Sequence, residues 1–100
     1  MAKTQINNSR NIGVDLQEPR KYNVVFHNDN VTPMDFVVDV LRRIFHKDPQ
    51  EAEKLMLKVH TEGRAVVGTY SLDIAASKAS KAIHIAKENN YPLNITVEPS

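Results

Sequence analysis

The segment of residues 27–34 holds the side chains of this sequence that are best suited to binding chemistry. It joins an apolar run that ends at Phe26 to a second apolar run that begins at Met34, and this pattern predicts a strand, a polar loop and a helix start. Within the loop, Asn28 offers an amide oxygen and Asp29 a carboxylate, so both can accept hydrogen bonds. The pattern leaves two interpretations open: a solvated turn, which Asn and Asp favour anyway, or a fixed pair of acceptors.

The residues that follow predict how the loop is anchored. We expect Thr32 to cap the first helix by accepting a backbone N–H, and Pro33 to take the first helical position, where an N–H would lack a partner anyway. Asp35 stands where its side chain could reach back to the cap. A loop fixed at both ends could hold Asn28 and Asp29 in one geometry.

A second helix supplies a third possible acceptor and part of an apolar wall. It is predicted to begin at Asp48-Pro49, with Asp48 as its cap, and to end at Gly63, while His60 lies beside its apolar stripe. A neutral imidazole can accept at one ring nitrogen, although a lone histidine beside such a stripe is more often structural. The apolar residues that could line a recognition site, or simply belong to the core, are Met34, Val37, Met56 and Val59.

The elements that must position these residues follow in the order β-α-α-β-α-β. Strands are predicted at 22–27, 64–70 and 93–97, and helices at 33–45, 49–62 and 72–89, the last of them capped by Ser71. The fold class is therefore α+β, a small sandwich with three helices on one face of a mainly antiparallel, three-stranded sheet. Residues 1–20 are polar without a sustained apolar period and are expected to form a mobile tail, whereas residues 21–100 form the folded domain.

The composition argues against several classes of function. The 100 residues include no cysteine, carry a net charge of +1 and contain no apolar run of membrane-spanning length. They also lack a glycine-rich phosphate loop, a histidine pair with metal-ligand spacing and a nucleophile motif, so we expect no enzyme, metal or cofactor. Basic residues are interleaved with acidic or small ones, which disfavours nucleic-acid binding. We expect a cytoplasmic protein with a recognition function that involves neither nucleic acid nor membrane.

Three motifs give the sequence a family resemblance. They are Asn-Asp-x-x-Thr-Pro-Met at residues 28–34, Met-x-x-Val-His at 56–60 and Glu-Asn-x-x-Pro-Leu at 88–93. Over residues 22–98 the sequence resembles the ClpS adaptors, which deliver N-degron substrates to a Clp-type AAA+ unfoldase. The resemblance implies the small α/β fold that this family shares with the C-terminal domain of the ribosomal stalk protein.

The resemblance also implies roles for individual residues. In ClpS adaptors, the free α-amino group of an N-terminal Leu, Phe, Tyr or Trp is held while the first side chain enters an apolar pocket. By motif position, Asn28, Asp29 and His60 would hold the amine, and Asp73 and Lys78 would fall near the surface that contacts the unfoldase. The residues that would line the pocket or shape its rim are Thr32, Pro33, Met34, Val37, Met56, Val59 and Leu93.

A different class of function is compatible with the same fold. A ribosome- or factor-binding module would use the apolar residues as plain core, because fold alone does not determine function. Exposure of Met34 and Met56 around a concave site would favour the adaptor, and their complete burial would favour the module. RNA binding ranks third because the net charge is near zero. The sequence departs from the adaptor family at Asn30, where a second Asp is frequent, so one negative charge near the loop is missing.

Overall fold

The computed structural model describes residues 20–100, and the predicted order of elements is confirmed within them. The elements are β1 (Lys21–His27), α1 (Met34–Arg43), α2 (Pro49–Glu62), β2 (Arg64–Ser71), α3 (Leu72–Glu88) and β3 (Asn94–Pro99). The predicted mobile tail, residues 1–20, lies outside the described residues apart from Arg20. Among residues 20–100, no helix combines the length and the apolar character that crossing a bilayer requires.

The three strands form one antiparallel sheet, as the sequence predicted, and the structure gives their order as β2-β1-β3. Val24 and Phe26 of the central strand belong to the same buried cluster as apolar residues from all three helices. Because alternate strand residues point to opposite faces, the helices must cover this face of the sheet. Val25 points the other way, is fully buried, and does not belong to that cluster.

The end of α2 is tied to the end of β1, and this contact brings the predicted acceptors together. Asp48 caps α2 as predicted, because its Oδ1 accepts the Glu51 N–H at 2.8 Å. Gly63 ends the helix with φ of 89°, a left-handed conformation that glycine adopts without a steric penalty. Its carbonyl then accepts the backbone N–H of Asn28 at 2.9 Å. The last turn of α2, which carries His60, is therefore fixed beside the loop that follows β1.

The first and third helices begin differently from the prediction. Helix α1 starts at Met34 rather than Pro33, and Pro33 is the N-cap residue with an extended backbone and no side-chain cap bond. Thr32 is not the cap, because its hydroxyl and its N–H both donate to Asp29 instead. Ser71 does occupy the N-cap position of α3, but its side chain makes no cap bond.

Helix α1 also ends at Arg43, two residues before the predicted end at Phe45. His46 has a φ of 56°, so the backbone turns into the left-handed region and leaves the helix. The Lys47 N–H then donates to the carbonyl of Leu41 at 3.1 Å, which satisfies one of the last helical acceptors. No glycine marks this position, which explains why the sequence pattern placed the end too late.

Candidate functional site

A cavity of about 450 Å³ lies between the loop of residues 28–34, α1 and the last turns of α2. This volume is in the range of about 300–1,000 Å³ that is usual for ligand sites. Its lining residues are Asn28, Asp29, Asn30, Val31, Thr32, Pro33, Met34, Val37, Met56, Val59 and His60. The structure therefore brings together all three predicted acceptors and every predicted pocket residue except Leu93.

The Asp29 carboxylate holds the loop in shape. Its Oδ1 accepts the N–H groups of Val31 at 2.8 Å and Thr32 at 2.7 Å, and its Oδ2 accepts the Thr32 hydroxyl at 2.8 Å. Partial burial acts to raise the pKa of Asp29, but the three hydrogen bonds from Thr32 and Val31 outweigh it and hold the pKa below its ordinary value. The loop is thus folded around a carboxylate that stays charged at neutral pH.

Asp29 retains capacity to bind something in the cavity. An ionised carboxylate has about four lone-pair positions, and the loop occupies both on Oδ1 and one on Oδ2. One position on Oδ2 therefore remains for a donor, together with the negative charge. The sequence analysis predicted that Thr32 would cap the helix and that Asp29 would help to hold the amine, and the structure adds that Asp29 also fixes the loop.

Asn28 and His60 line the same cavity as this carboxylate, and both are exposed. Within residues 20–100, neither the Asn28 amide nor the His60 ring makes a side-chain hydrogen bond, so both can turn toward a ligand. The same part of the chain contains no group of three or more side chains placed to hold a metal ion. The polar side of the cavity therefore combines one negative charge with two neutral side chains, each of which can offer a hydrogen-bond acceptor.

The apolar side of the cavity has a buried floor and an exposed lip. Val37, Met56 and Val59 are only 6%, 8% and 3% exposed and belong to the hydrophobic core, whereas Met34 is 46% exposed. The exposure of Met34 and Met56 was the criterion for choosing between an adaptor and a module without a pocket, and it is met only in part. Met34 is exposed at the mouth, whereas Met56 is nearly buried although it lines the cavity. A wall of this kind serves the core and a ligand at once.

The structure places Leu93 differently from the prediction. Leu93 packs in the hydrophobic core and is not among the residues that line the cavity, so we assign it to the core rather than to the wall. Conversely, Asn30 and Val31 line the cavity, and sequence reasoning did not count them among the site residues. Their position between Asp29 and Thr32 was the available signal, because a loop held around a cavity presents several consecutive residues to it.

Asp73 and Lys78, the predicted unfoldase contacts, lie on α3 and not in the cavity. Lys78 is half-buried and donates from Nζ to the carbonyl of Ile44 at 2.9 Å. The same Nζ lies 5.9 Å from the ring centroid of Phe45 and 5.5 Å from that of Tyr70, which are cation–π distances. Lys78 therefore joins α3 to the end of α1, whereas Asp73 is exposed in the first turn of its helix.

Comparison with known proteins places this arrangement in a family. Residues 17–96 match the family model described as ATP-dependent Clp protease adaptor protein ClpS. The ATP-dependent Clp protease adapter protein ClpS of Treponema denticola is 53% identical over 81 residues, which cover 81% of this chain and 80% of that protein. Its counterpart from Vibrio atlanticus is 49% identical over 83 residues, covering 83% of this chain and 78% of the relative.

A solved structure shares the fold as well. The structure of Agrobacterium tumefaciens ClpS2 bound to L-phenylalaninamide superimposes with a TM-score of 0.81 at 37% sequence identity, and the match covers 83% of this chain and 100% of that one. The family model, the curated relatives and the shared fold agree over the same domain. The chain belongs to the ClpS family of ATP-dependent Clp protease adaptor proteins.

Proposed function

We propose that this protein binds the free N-terminal residue of N-degron substrates, namely Leu, Phe, Tyr or Trp, and delivers them to a Clp-type AAA+ unfoldase without catalysing a reaction itself. The observation that carries the proposal is a single cavity with a charged acceptor on one side and an apolar floor on the other. The related ClpS2 of Agrobacterium tumefaciens is bound to L-phenylalaninamide, a molecule with a free α-amino group and a benzyl side chain.

The polar side of the cavity has the chemistry to hold an α-amino group. Such a group has a pKa of about 7.7–8.0, so at neutral pH it is mostly an ammonium with three donors and no acceptor. The remaining Oδ2 position of Asp29, the amide oxygen of Asn28 and a ring nitrogen of neutral His60 supply three acceptors. Hydrogen bonds to charged groups contribute roughly 1.5–3 kcal/mol each. Acetylation of the amine would remove the charge and most of the donors together.

The apolar side has the chemistry to accept the first side chain. Val37, Met56 and Val59 present a floor that is already part of the core, so it does not have to be assembled when the ligand binds. Burying a side chain the size of leucine or phenylalanine contributes about 1.5–3 kcal/mol. Thr32 and Pro33 line the same cavity and would limit the shape of what enters. After the cost of association, these contributions support a moderate affinity that permits transfer to a partner.

The proposed contact with the unfoldase is at the start of α3. Leu72 and Ile74 are each 49% exposed and Asp73 is exposed between them in sequence, so the first turn of α3 presents two apolar side chains and one acidic side chain to solvent. The start of α3 lies beside the first residue of β1, where residues 1–20 join the folded domain, because Lys21 pairs with Ser71 across β1 and β2. Lys78 is held by Ile44, Phe45 and Tyr70, and we assign it to joining α3 to the end of α1 rather than to contacting the unfoldase.

The proposal is tested by fluorescence anisotropy with labelled peptides that begin with Leu or Phe. Matched peptides with an acetylated N-terminus serve as controls, since they keep the side chain and lose the charged amine. We expect saturable binding of the unmodified peptides and a loss of at least about 100-fold after acetylation, equivalent to one or two charged hydrogen bonds. Equal binding of the two sets would reject the proposed recognition of the amine.

A further inference from the structure

Val31 is an apolar residue that is exposed to solvent at the edge of the cavity. Its side chain is 62% exposed, the highest exposure among the large hydrophobic residues of the described chain, and it lines the cavity. Its position is not that of a loose loop residue, because its backbone N–H donates to Asp29 Oδ1 at 2.8 Å. The structure thus fixes the backbone of an apolar side chain that has no role in the core.

The lip of the cavity is apolar or uncharged along its exposed part. Thr32 and Pro33 are half-buried. The exposed lining residues, apart from the two proposed to hold the amine, are Asn30, Val31 and Met34, and we call these three the lip. None of the three carries a charge, and Val31 and Met34 are the two exposed large apolar residues that line the cavity. Continuity with the cavity indicates that a bound peptide, and not an unrelated partner, would cover them.

We propose that Val31, together with Met34, contacts the second side chain of the bound peptide and selects apolar or aromatic residues there. This inference rests on the proposed function. A peptide whose amine lies at Asp29 and whose first side chain lies on the floor must leave the cavity across the lip. In an extended chain, successive side chains point to opposite sides, so the second cannot reach the floor and is left at the mouth. Covering Val31 there removes its apolar surface from water.

The test uses anisotropy with peptides that share an N-terminal leucine and differ only at the second residue, which is Phe, Ser or Lys. The wild-type protein should bind the Leu-Phe peptide about three- to tenfold more tightly than the Leu-Ser peptide, as expected for burial of part of two apolar side chains. Val31→Ser should reduce that ratio to below about twofold, whereas Val31→Ile, which keeps an apolar side chain, should preserve it. The backbone hydrogen bond to Asp29 remains possible in both variants.

A matched control is Leu57→Ser, because Leu57 is 49% exposed on α2 and does not line this cavity. It should leave the Phe-to-Ser ratio unchanged. Equal binding of the Leu-Phe and Leu-Ser peptides by the wild type would overturn the inference. Tightest binding of the Leu-Lys peptide would also overturn it, since the Asp29 charge would then dominate at this position. Failure of the proposed function is distinguishable, because acetylated and unmodified Leu-Ser peptides would then bind alike.

Discussion

The two ends of strand β1 carry two different kinds of surface. At the His27 end, the chain enters the loop of residues 28–34 and bounds a cavity with a charged acceptor and a buried apolar floor. At the Lys21 end, which pairs with Ser71, the neighbouring start of α3 exposes Leu72 and Ile74 around Asp73. Seven residues of strand separate the two ends by roughly 20 Å.

The difference between the two ends lies in how each aspartate is used. Asp29 accepts three hydrogen bonds from its own loop, so its position is fixed before any ligand arrives. Asp73 stands exposed in the first turn of α3, where no side-chain cap bond is made. A fixed acceptor beside an apolar floor suits recognition of a small group, whereas exposed apolar side chains with an acidic neighbour suit the apolar centre and the polar rim of a contact with a protein surface. In the proposed function, β1 would thus separate the site for the substrate from the site for the unfoldase.

The largest effect should come from replacing Asp29. Asp29→Ala removes the negative charge and all three loop hydrogen bonds, so binding of Leu- and Phe-initiated peptides should weaken by about 100-fold or more. Asp35→Ala is the control, because Asp35 is exposed one residue into α1 and does not line the cavity. Peptide anisotropy measures the loss, and circular dichroism checks the fold. Similar losses in two folded variants would contradict this division of roles.

A second variant separates the charge of Asp29 from its structural role. Asp29→Asn keeps an oxygen that can accept the Val31 and Thr32 N–H groups, and the Thr32 hydroxyl can rotate to accept from the new amide. The loop should therefore survive while the charge is lost. We expect weaker peptide binding than in the wild type but unchanged binding to the unfoldase. A similar loss of peptide binding and of unfoldase binding would contradict the proposal that the two ends of β1 bind different partners.

His60→Ala should have the next largest effect on peptide binding. It removes one of three proposed acceptors and leaves Asp29 and Asn28 in place, so we expect a loss of about tenfold. His60 is exposed, so the free energy of unfolding should change by less than about 0.5 kcal/mol. The discriminating measurement compares unmodified and acetylated Leu peptides, because only the former should lose affinity. An equal loss for both peptides would assign His60 to the shape of the cavity instead.

Local signals in the sequence predicted most of the fold, and the motifs that it shares with the ClpS adaptors predicted residues that the structure brings together around one cavity. Asp48 before Pro49 and Gly63 after Glu62 marked the ends of α2, and both act as predicted. The Thr32 cap was wrong because a second local acceptor, Asp29, competes for the same residue, and the pattern does not rank the two.

The remaining differences depend on contacts that are distant in sequence. Lys78 reaches the carbonyl of Ile44, which is 34 residues away, and no spacing rule indicates this contact. Leu93 precedes β3 in an apolar pattern that is compatible with the pocket or with the core, and packing decides for the core. The exposure of Val31 likewise follows from how the loop closes around Asp29. Sequence patterns thus predicted the candidate site, and the positions of individual residues within it depend on tertiary contacts.

Asp73 and Lys78 provide a test at the other end of β1. Lys78→Ala removes a hydrogen bond to Ile44 and the contacts with two rings, so unfolding should become easier by about 1 kcal/mol, measured by urea denaturation. Asp73→Ala, in contrast, should leave the urea midpoint unchanged and weaken unfoldase binding about threefold, within the range for an exposed ion pair. Wild-type stability of Lys78→Ala would show that its intramolecular contacts are unimportant.

Met34→Ala should change the selectivity of the cavity more than its overall affinity. Met34 is 46% exposed at the mouth, so its truncation should weaken Leu-peptide binding only about two- to threefold. The wider mouth should admit β-branched first residues, so binding of an Ile-initiated peptide should improve relative to the Leu-initiated one. Unchanged discrimination against Ile would exclude Met34 as the residue that limits entry. Leu72→Ala, at the opposite end of β1, serves as the comparison for an exposed apolar truncation.

The smallest expected effect is on stability in acid, and it tests whether the loop depends on a charged Asp29. The folded-state pKa of Asp29 is below the ordinary value of 3.8, so its carboxylate stabilises the folded state above that value and loses this contribution as the pH falls through the folded pKa. Thr32→Val removes the hydroxyl that donates to Oδ2. Because this bond is only partly buried, solvent screens it, and its loss should cost about 1 kcal/mol at pH 7, less than a buried hydrogen bond to a charged group. The difference in urea midpoint between wild type and Thr32→Val should be constant from neutral pH to about pH 5. It should shrink below about pH 4, where the Asp29 carboxyl becomes protonated first in the unfolded chain and then, at lower pH, in the folded protein. A difference that persists unchanged into strong acid would mean that Thr32 stabilises the loop by packing and not through the charged carboxylate.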